Sequence, residues 1–214
     1  MTIASTVEAG KMSDHSTLID ALATHCWAVT SHFLPPEAVA ALANEAQQLW
    51  AAGQFQPAGV GRGAGYAVRP DIRGDSIYWL DEHNPTPAQA RYWEAIEVLR
   101  SELNRALFLS LVGFEAHYAV YPPGAFYQKH VDRFASSDER MISCILYLNP
   151  NWSADQGGQL RVYLADSTVD VLPCAGTFVL FRSDTIAHEV LPATQPRFSL
   201  TGWFRRRALY VQLG

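Results

Sequence analysis

Apolar residues recur at helical spacing through the first half of the chain and at alternating spacing through the second. Leu18, Ile19, Leu22 and Cys26 share one face of a helix that starts at Ser16. A second helix is expected after Pro35-Pro36-Glu37, because proline suits the first turn and glutamate the positive helix end. It runs through AVAALANEAQQLW and should stop at Gly53. Thr86-Pro87 opens a third, whose stripe of Tyr92, Ile96, Leu99, Leu103 and Leu107 reads as core packing. From about residue 113 the texture changes to short runs rich in β-branched and aromatic residues: EAHYAVY, MISCILYLN, GQLRVYL, TVDVL, TFVLF and RFSLTGWFR. Turn residues separate them and no helices intervene, which predicts an antiparallel sandwich or barrel. The fold class expected is α+β with a mainly β core, one domain with helical support over about 16–112 and a β-core over about 113–207. Residues 57–72 form a glycine-rich loop without the strand and helix of a dinucleotide site, and read as a flexible flap. The first fifteen residues, small and polar, are expected to fray.

Composition narrows the partners. A chain of 214 residues with 49% hydrophobic and 17% charged residues can bury a sizeable core. Its 21 acidic and 16 basic residues leave a net charge of -5, which offers no footprint for nucleic acid or an anionic membrane. Arg205-Arg206-Arg207 is the local exception and reads as a solvated terminus. The N-terminus lacks the apolar core of a signal peptide, and no window reaches the roughly 18 apolar residues of a membrane span. Cys26, Cys144 and Cys174 are too few and too scattered for a disulfide framework, so a reducing cytoplasm is the expected compartment. A monomer is the expected state.

Candidate chemistry sits at His130-Val131-Asp132. In a strand, residues two apart face the same side with Cα atoms roughly 6.6 Å apart, so the imidazole and carboxylate can converge on one metal. Taken alone, the tripeptide is better read as a surface hydrogen-bonded pair. His188, from another strand, would complete a 2-His-1-carboxylate facial triad, leaving three positions open on octahedral iron(II). Two would take the keto and carboxylate oxygens of 2-oxoglutarate and the third O2. The segment after His188 strengthens the case. Arg197, Ser199, Thr201 and Trp203 share one strand face, and Phe198, Leu200, Gly202 and Phe204 share the other. One face packs into the body; the other offers a guanidinium fork, which matches a carboxylate in bidentate geometry. His15, His25, His32 and His83 have no ligand partners at useful spacing, and His117 reads as a core or hydrogen-bonded histidine.

Five segments then carry a resemblance over roughly residues 70–205: IRGDSIYWL, YPPGAFYQKHVD, RMISCILYLN, GGQLRVY and HEVLPATQPRFSLTGWF. In this order they resemble the prolyl 4-hydroxylase-like branch of the iron(II)/2-oxoglutarate oxygenases, especially its oxygen-sensing type and bacterial relatives. The resemblance implies a double-stranded β-helix, a cupin-like jelly roll with helices supporting the larger sheet. It implies iron(II) on His130, Asp132 and His188, and 2-oxoglutarate held by Arg197 and Tyr147. Tyr121 and Thr201 would line that pocket, and Leu160 would pack on the cosubstrate chain. Arg140 and Trp203 would hold the substrate, and Val60 to Ile72 would be the flap. O2 would be the second cosubstrate, with ascorbate as a support. Lys129 departs from the pattern only in being a basic substitute; the flap has no counterpart that matches. The substrate this implies is a protein carrying a target proline. A hydroxylase of a free amino acid or small metabolite, and a non-catalytic cupin-like metal binder, are the alternatives. The acidic balance speaks against nucleic-acid demethylation, and Asp132 occupies the position a halogenase needs for halide. Neutral imidazole ligands predict metal affinity falling as pH drops through roughly 6.5.

Overall fold

The computed structural model describes residues 15–61, 65–133 and 139–207. The frayed segment expected at the N-terminus lies outside these, apart from His15. That histidine, assigned nothing from sequence, is buried, and its Nδ1 lies 2.6 Å from Glu102 Oε2.

In chain order the elements are α1 (Ser16–His25), β1 (Trp27–Thr30), α2 (Pro36–Ala51), β2 (Gln56–Pro57), β3 (Ser76–Trp79) and α3 (Pro87–Leu107). Then follow β4 (Leu111–Tyr121), β5 (Tyr127–His130), β6 (Arg140–Tyr147), β7 (Leu160–Tyr163) and β8 (Thr168–Val171). The last three are β9 (Phe178–Arg182), β10 (Ala187–Val190) and β11 (Arg197–Arg206). The helix boundaries follow the local signals. Proline occupies the first turn of α2, Gly53 just beyond it takes φ +69, and the Thr86 hydroxyl accepts from Gln89 N–H to cap α3.

Two antiparallel sheets face each other. The larger runs β1-β9-β6-β11-β4-β3-β2 and the smaller β5-β10-β7-β8. This is the double-stranded β-helix, or jelly roll, with the three helices covering the outer face of the larger sheet. The alternation read from sequence decides the layers. Phe198, Leu200 and Phe204 of β11 pack with Tyr92, Ile96, Leu99 and Leu103 of α3 in the core beneath the helices. Their neighbours Ser199, Thr201 and Trp203 face the space between the sheets. Glu45 of α2 accepts from Tyr118 Oη of β4 at 3.0 Å and from Gln89 Nε2 of α3 at 2.5 Å, tying both helices to the sheet.

Some strands were not legible. β1, β2 and β3 lie in the half expected to be helical, whereas β5 and β10 are strands on which His130 and His188 were expected. The first three have four residues or fewer each, too short for alternation to declare itself; pairing with longer neighbours makes them strands. Arg205 is also no free terminus, because it bridges Glu115 and Glu139, both at 3.1 Å. Among the described residues no helix is long and apolar enough to cross a membrane.

Candidate metal centre and anion pocket

The mouth between the sheets opens into a cavity of about 440 Å³ that reaches His130, Asp132 and His188. The register brings the two imidazoles together: β10 pairs with β5 so that His188 stands opposite His130, with ring centroids 4.3 Å apart. Asp132 does not lie in a strand. It sits in the bend after β5, so the two-apart strand geometry expected for H-x-D positions His130 alone. A hydrogen bond holds the carboxylate instead, since Ser143 Oγ of β6 donates to Asp132 Oδ2 at 2.6 Å. Its other oxygen, Oδ1, lies 3.4 Å from His130 Nε2 and 3.7 Å from His188 Nε2. One ligand atom from each of the three residues falls within 4.8 Å of the others.

The donor set suits a divalent transition metal. His130 Nδ1 donates to the Gln128 carbonyl at 2.6 Å and His188 Nδ1 to the Ile186 carbonyl at 3.2 Å. With Nδ1 bound to a carbonyl, each ring turns its Nε2 towards the carboxylate oxygen, the nitrogen left for a metal. Burial lowers the His188 pKa to about 4, so this ligand stays neutral well below the 6.5 expected from sequence. Burial opposes ionisation of Asp132, yet His188, His130 and the Ser143 hydroxyl hold its carboxyl below the usual range. Tyr127 stacks on His130 at 3.6 Å, and the Arg73 guanidinium lies 4.3 Å from the Tyr127 ring.

Deeper in the cavity stands Arg197, at 1% exposure. Its Nε donates to the Gly158 carbonyl at 2.8 Å, while Nη2 has no partner among the described residues. Its guanidinium lies between the rings of Tyr121 and Tyr147, 5.1 and 4.8 Å from their centroids. Tyr147 is fully buried and its hydroxyl also lacks a hydrogen-bond partner among the described residues; burial raises that hydroxyl to about 12 against the pull of Arg197. A buried cation and a buried hydroxyl with unused hydrogen bonds fit an anionic ligand that supplies both. Gly158 is required here. It adopts φ +72, and a Cβ would come within 3.2 Å of Arg197 Cδ and 3.0 Å of the Ala193 methyl. Tyr121, Thr201 and Leu160 line the same cavity; Tyr147 is not among its lining residues.

Strand register orders the remaining wall. Trp79, His117, Thr201 and Ile145 form one row across β3, β4, β11 and β6, and Glu115, Trp203 and Ser143 form the next. The Arg140 guanidinium lies over the Trp203 ring at 3.6 Å and its Nε donates to Glu115 at 2.8 Å, so both expected substrate residues are at the mouth. The glycine-rich loop contributes Gly59, Val60, Gly61 and Tyr66 to the rim, closed on itself by the Val60–Ala67 bridge. Residues 62–64 of the expected flap lie outside the described ones. Among the wall residues that received no role from sequence are Arg73, Asp75 and Trp79, and Ser143, behind Asp132, received none either. The first three alternate in RGDSIYW, and that period-two spacing was the available signal. Ser143 had none, being one small residue in an apolar run.

A jelly roll holding two imidazoles and one carboxylate beside a buried guanidinium defines a non-haem metal protein with a pocket for an anionic cosubstrate. Comparison with known proteins specifies it further. The profile of the 2OG-Fe(II) oxygenase superfamily matches residues 116–205. A Pseudomonas putida prolyl-4-hydroxylase is 48% identical with a TM-score of 0.82, over 90% of this chain and 98% of that one. A Trichoplax adhaerens prolyl hydroxylase, solved with a hypoxia inducible factor oxygen degradation domain peptide, is 28% identical with a TM-score of 0.79, over 88% and 87% of the two chains. The Caenorhabditis elegans hypoxia-inducible factor prolyl hydroxylase is 32% identical over 83% of this chain, which spans 26% of that protein's length. The chain belongs to the iron(II)/2-oxoglutarate oxygenases, in their prolyl hydroxylase branch. The cofactors of this family are iron(II), 2-oxoglutarate and O2.

Proposed function

We propose that this chain is a single-domain hydroxylase that acts on a prolyl residue of a protein, consuming 2-oxoglutarate and O2. The observation that carries the reading is the pairing of a His-Asp-His cluster with a buried Arg197, whose Nη2 has no partner among the described residues, in one cavity. The likeness to prolyl hydroxylases along nearly the whole chain supports proline as the target.

In this reading His130, Asp132 and His188 hold iron(II) through two Nε2 atoms and Oδ1. Once bound, iron(II) together with 2-oxoglutarate and O2 supplies the oxidation that converts a substrate C–H to C–OH, releasing succinate and CO2. The chain supplies geometry and exclusion of water. Arg197 forks onto the distal carboxylate of 2-oxoglutarate and the Tyr147 hydroxyl donates to it, in a buried place where a charge pair is poorly screened. Leu160 and Thr201 flank the cosubstrate, and Tyr121 holds the Arg197 guanidinium in place from one side. At the mouth, Trp79, Trp203 and Arg140 receive the substrate segment, with the glycine-rich loop closing over it. The reaction is assigned to a reducing cytoplasm and to a monomer.

The test incubates the enzyme, iron(II), ascorbate and 2-oxoglutarate with a bacterial protein extract, with His188→Ala and Asp132→Ala as controls. Peptide mass spectrometry then seeks one added oxygen on proline. A proline oxidised only by the unmodified enzyme establishes the activity and names the substrate. Succinate formed from a metabolite extract with no modified protein would replace this reading with a small-molecule hydroxylase. Full turnover by either control would overturn the ligand assignment.

A further inference from the structure

Asp184 lies in the turn between β9 and β10, ahead of the strand that carries His188. Arg182 Nε and Nη2 donate to its two carboxylate oxygens at 3.1 and 3.0 Å, and the Thr185 hydroxyl donates to Oδ1 at 2.9 Å. A further donor comes from outside the turn, since Arg133 Nη1 reaches Oδ2 at 3.2 Å. Arg133 directly follows Asp132, and its backbone N–H donates to the Ser183 carbonyl at 3.0 Å. The turn is itself anchored on β6, where Ser183 N–H donates to the Met141 carbonyl at 3.0 Å. The bend carrying Asp132 is thus fastened to the turn that leads into His188 both by main chain and through the Asp184 carboxylate. Neither Arg133, Arg182 nor Asp184 lines the cavity.

Three ligands from separate segments bind a metal best when they already converge, because freedom left in them is lost on binding. The register of β5 and β10 aligns the two histidines, but Asp132 lies beyond the end of β5, where no ladder fixes it. Isolated ion pairs at a surface contribute little, whereas a carboxylate gripped at both oxygens within a network holds its geometry. Asp184 has that arrangement, with its side chain 21% exposed. The bonds from Arg182 hold its carboxyl down to about 2 against burial, with help from Thr185, so it is ionised at neutral pH. The smaller sheet offers a contrast. Arg161 donates to both oxygens of Asp170 at 2.8 Å, but that pair is exposed and joins β7 to β8, neither of which carries a ligand.

We propose that Asp184 is a positioning residue of the metal centre: through Arg133 it fixes the bend after β5, so that Asp132 meets the metal already aligned with His188. This rests on the reading of His130, Asp132 and His188 as the metal ligands, and it gives a role in the reaction to a turn outside the cavity.

The experiment titrates the metal-free protein with cobalt(II), followed by its visible absorption, in the unmodified chain and in Asp184→Ala, Arg133→Ala, their double variant, Asp170→Ala and His188→Ala. Asp184→Ala should bind about fivefold more weakly, below the roughly 10- to 100-fold cost of removing a partner bonded to the ligand itself. Arg133→Ala should lose as much. The double variant should lose no more than either, against about 25-fold if the two acted independently, because both remove one link. Asp170→Ala, which breaks a similar pair away from the site, should bind as the unmodified protein does. Arg133 is the more exposed partner, its side chain 37% accessible, so Arg133→Ala carries the test should Asp184→Ala not fold. Unchanged affinity in either single variant, independent losses in the double variant, or an equal loss in Asp170→Ala would overturn the link while leaving the ligand assignment intact. Cobalt(II) bound equally by His188→Ala, or not bound by the unmodified protein, would remove both.

Discussion

Ser143 Oγ donates a 2.6 Å hydrogen bond to Asp132 Oδ2 from a position with no solvent exposure. Ser143 is itself 2.9 Å from the hydroxyl of Ser183, equally buried, so β6 and the turn after β9 brace the carboxylate. With Oδ2 occupied, Oδ1 is the oxygen turned towards the two histidines.

Ser143→Ala should therefore weaken metal binding, by roughly 10- to 100-fold, the usual effect of removing a partner that orients a metal ligand. Titration with cobalt(II), followed by its visible absorption, measures this without any turnover. Ser183→Ala, one hydrogen bond further away, should have a smaller effect. An unchanged affinity in Ser143→Ala would mean that Asp132 is oriented by other means.

Arg197→Ala should act on the cosubstrate instead of the metal. Truncating one partner of a buried, hydrogen-bonded charge pair typically costs about 2–5 kcal/mol, or roughly one and a half to three and a half orders of magnitude in affinity. Equilibrium dialysis with labelled 2-oxoglutarate is the check. Tyr147→Phe, which removes one neutral donor, should lose about tenfold. Equal affinity in Arg197→Ala and the unmodified protein would place the carboxylate elsewhere.

The buried imidazole of His117 also makes stability depend on pH. Its folded pKa, about 3, lies below the value near 6.5 of an exposed histidine. Between those values the unfolded chain binds more protons, so acid favours unfolding, and above 6.5 the contribution is constant. Arg73 and Arg140 oppose protonation of the folded ring and Asp132 favours it. Urea unfolding of the metal-free protein should show the unmodified chain losing stability relative to His117→Gln as pH falls below 6.5, by up to about 1.4 kcal/mol per pH unit. Parallel curves for the two proteins would show that the folded ring takes up its proton as readily as the unfolded one.

Long, regular stretches of this chain were legible because burial imposes a period on them. The α3 stripe and the two faces of β11 follow from positions 3.6 or 2 residues apart meeting one apolar layer. The same alternation placed Arg197 and Thr201 on the cavity side, and the matched segments named the three metal-binding candidates. Short strands such as β1 and β3 escaped, since four residues carry too little pattern and owe their conformation to partners distant in sequence.

What the sequence by itself determined is therefore the layer each long element joins and the residue types available to the site, because both depend on local spacing. Which atoms meet was decided only by the tertiary structure. The opposition of His130 and His188 is a register between β5 and β10. The turn of Asp132 depends on a serine eleven residues away in β6, and the burial of the His117 imidazole on indoles from β3 and β11. Such relationships arise from contacts between segments far apart in the chain, which no periodicity within one segment can encode.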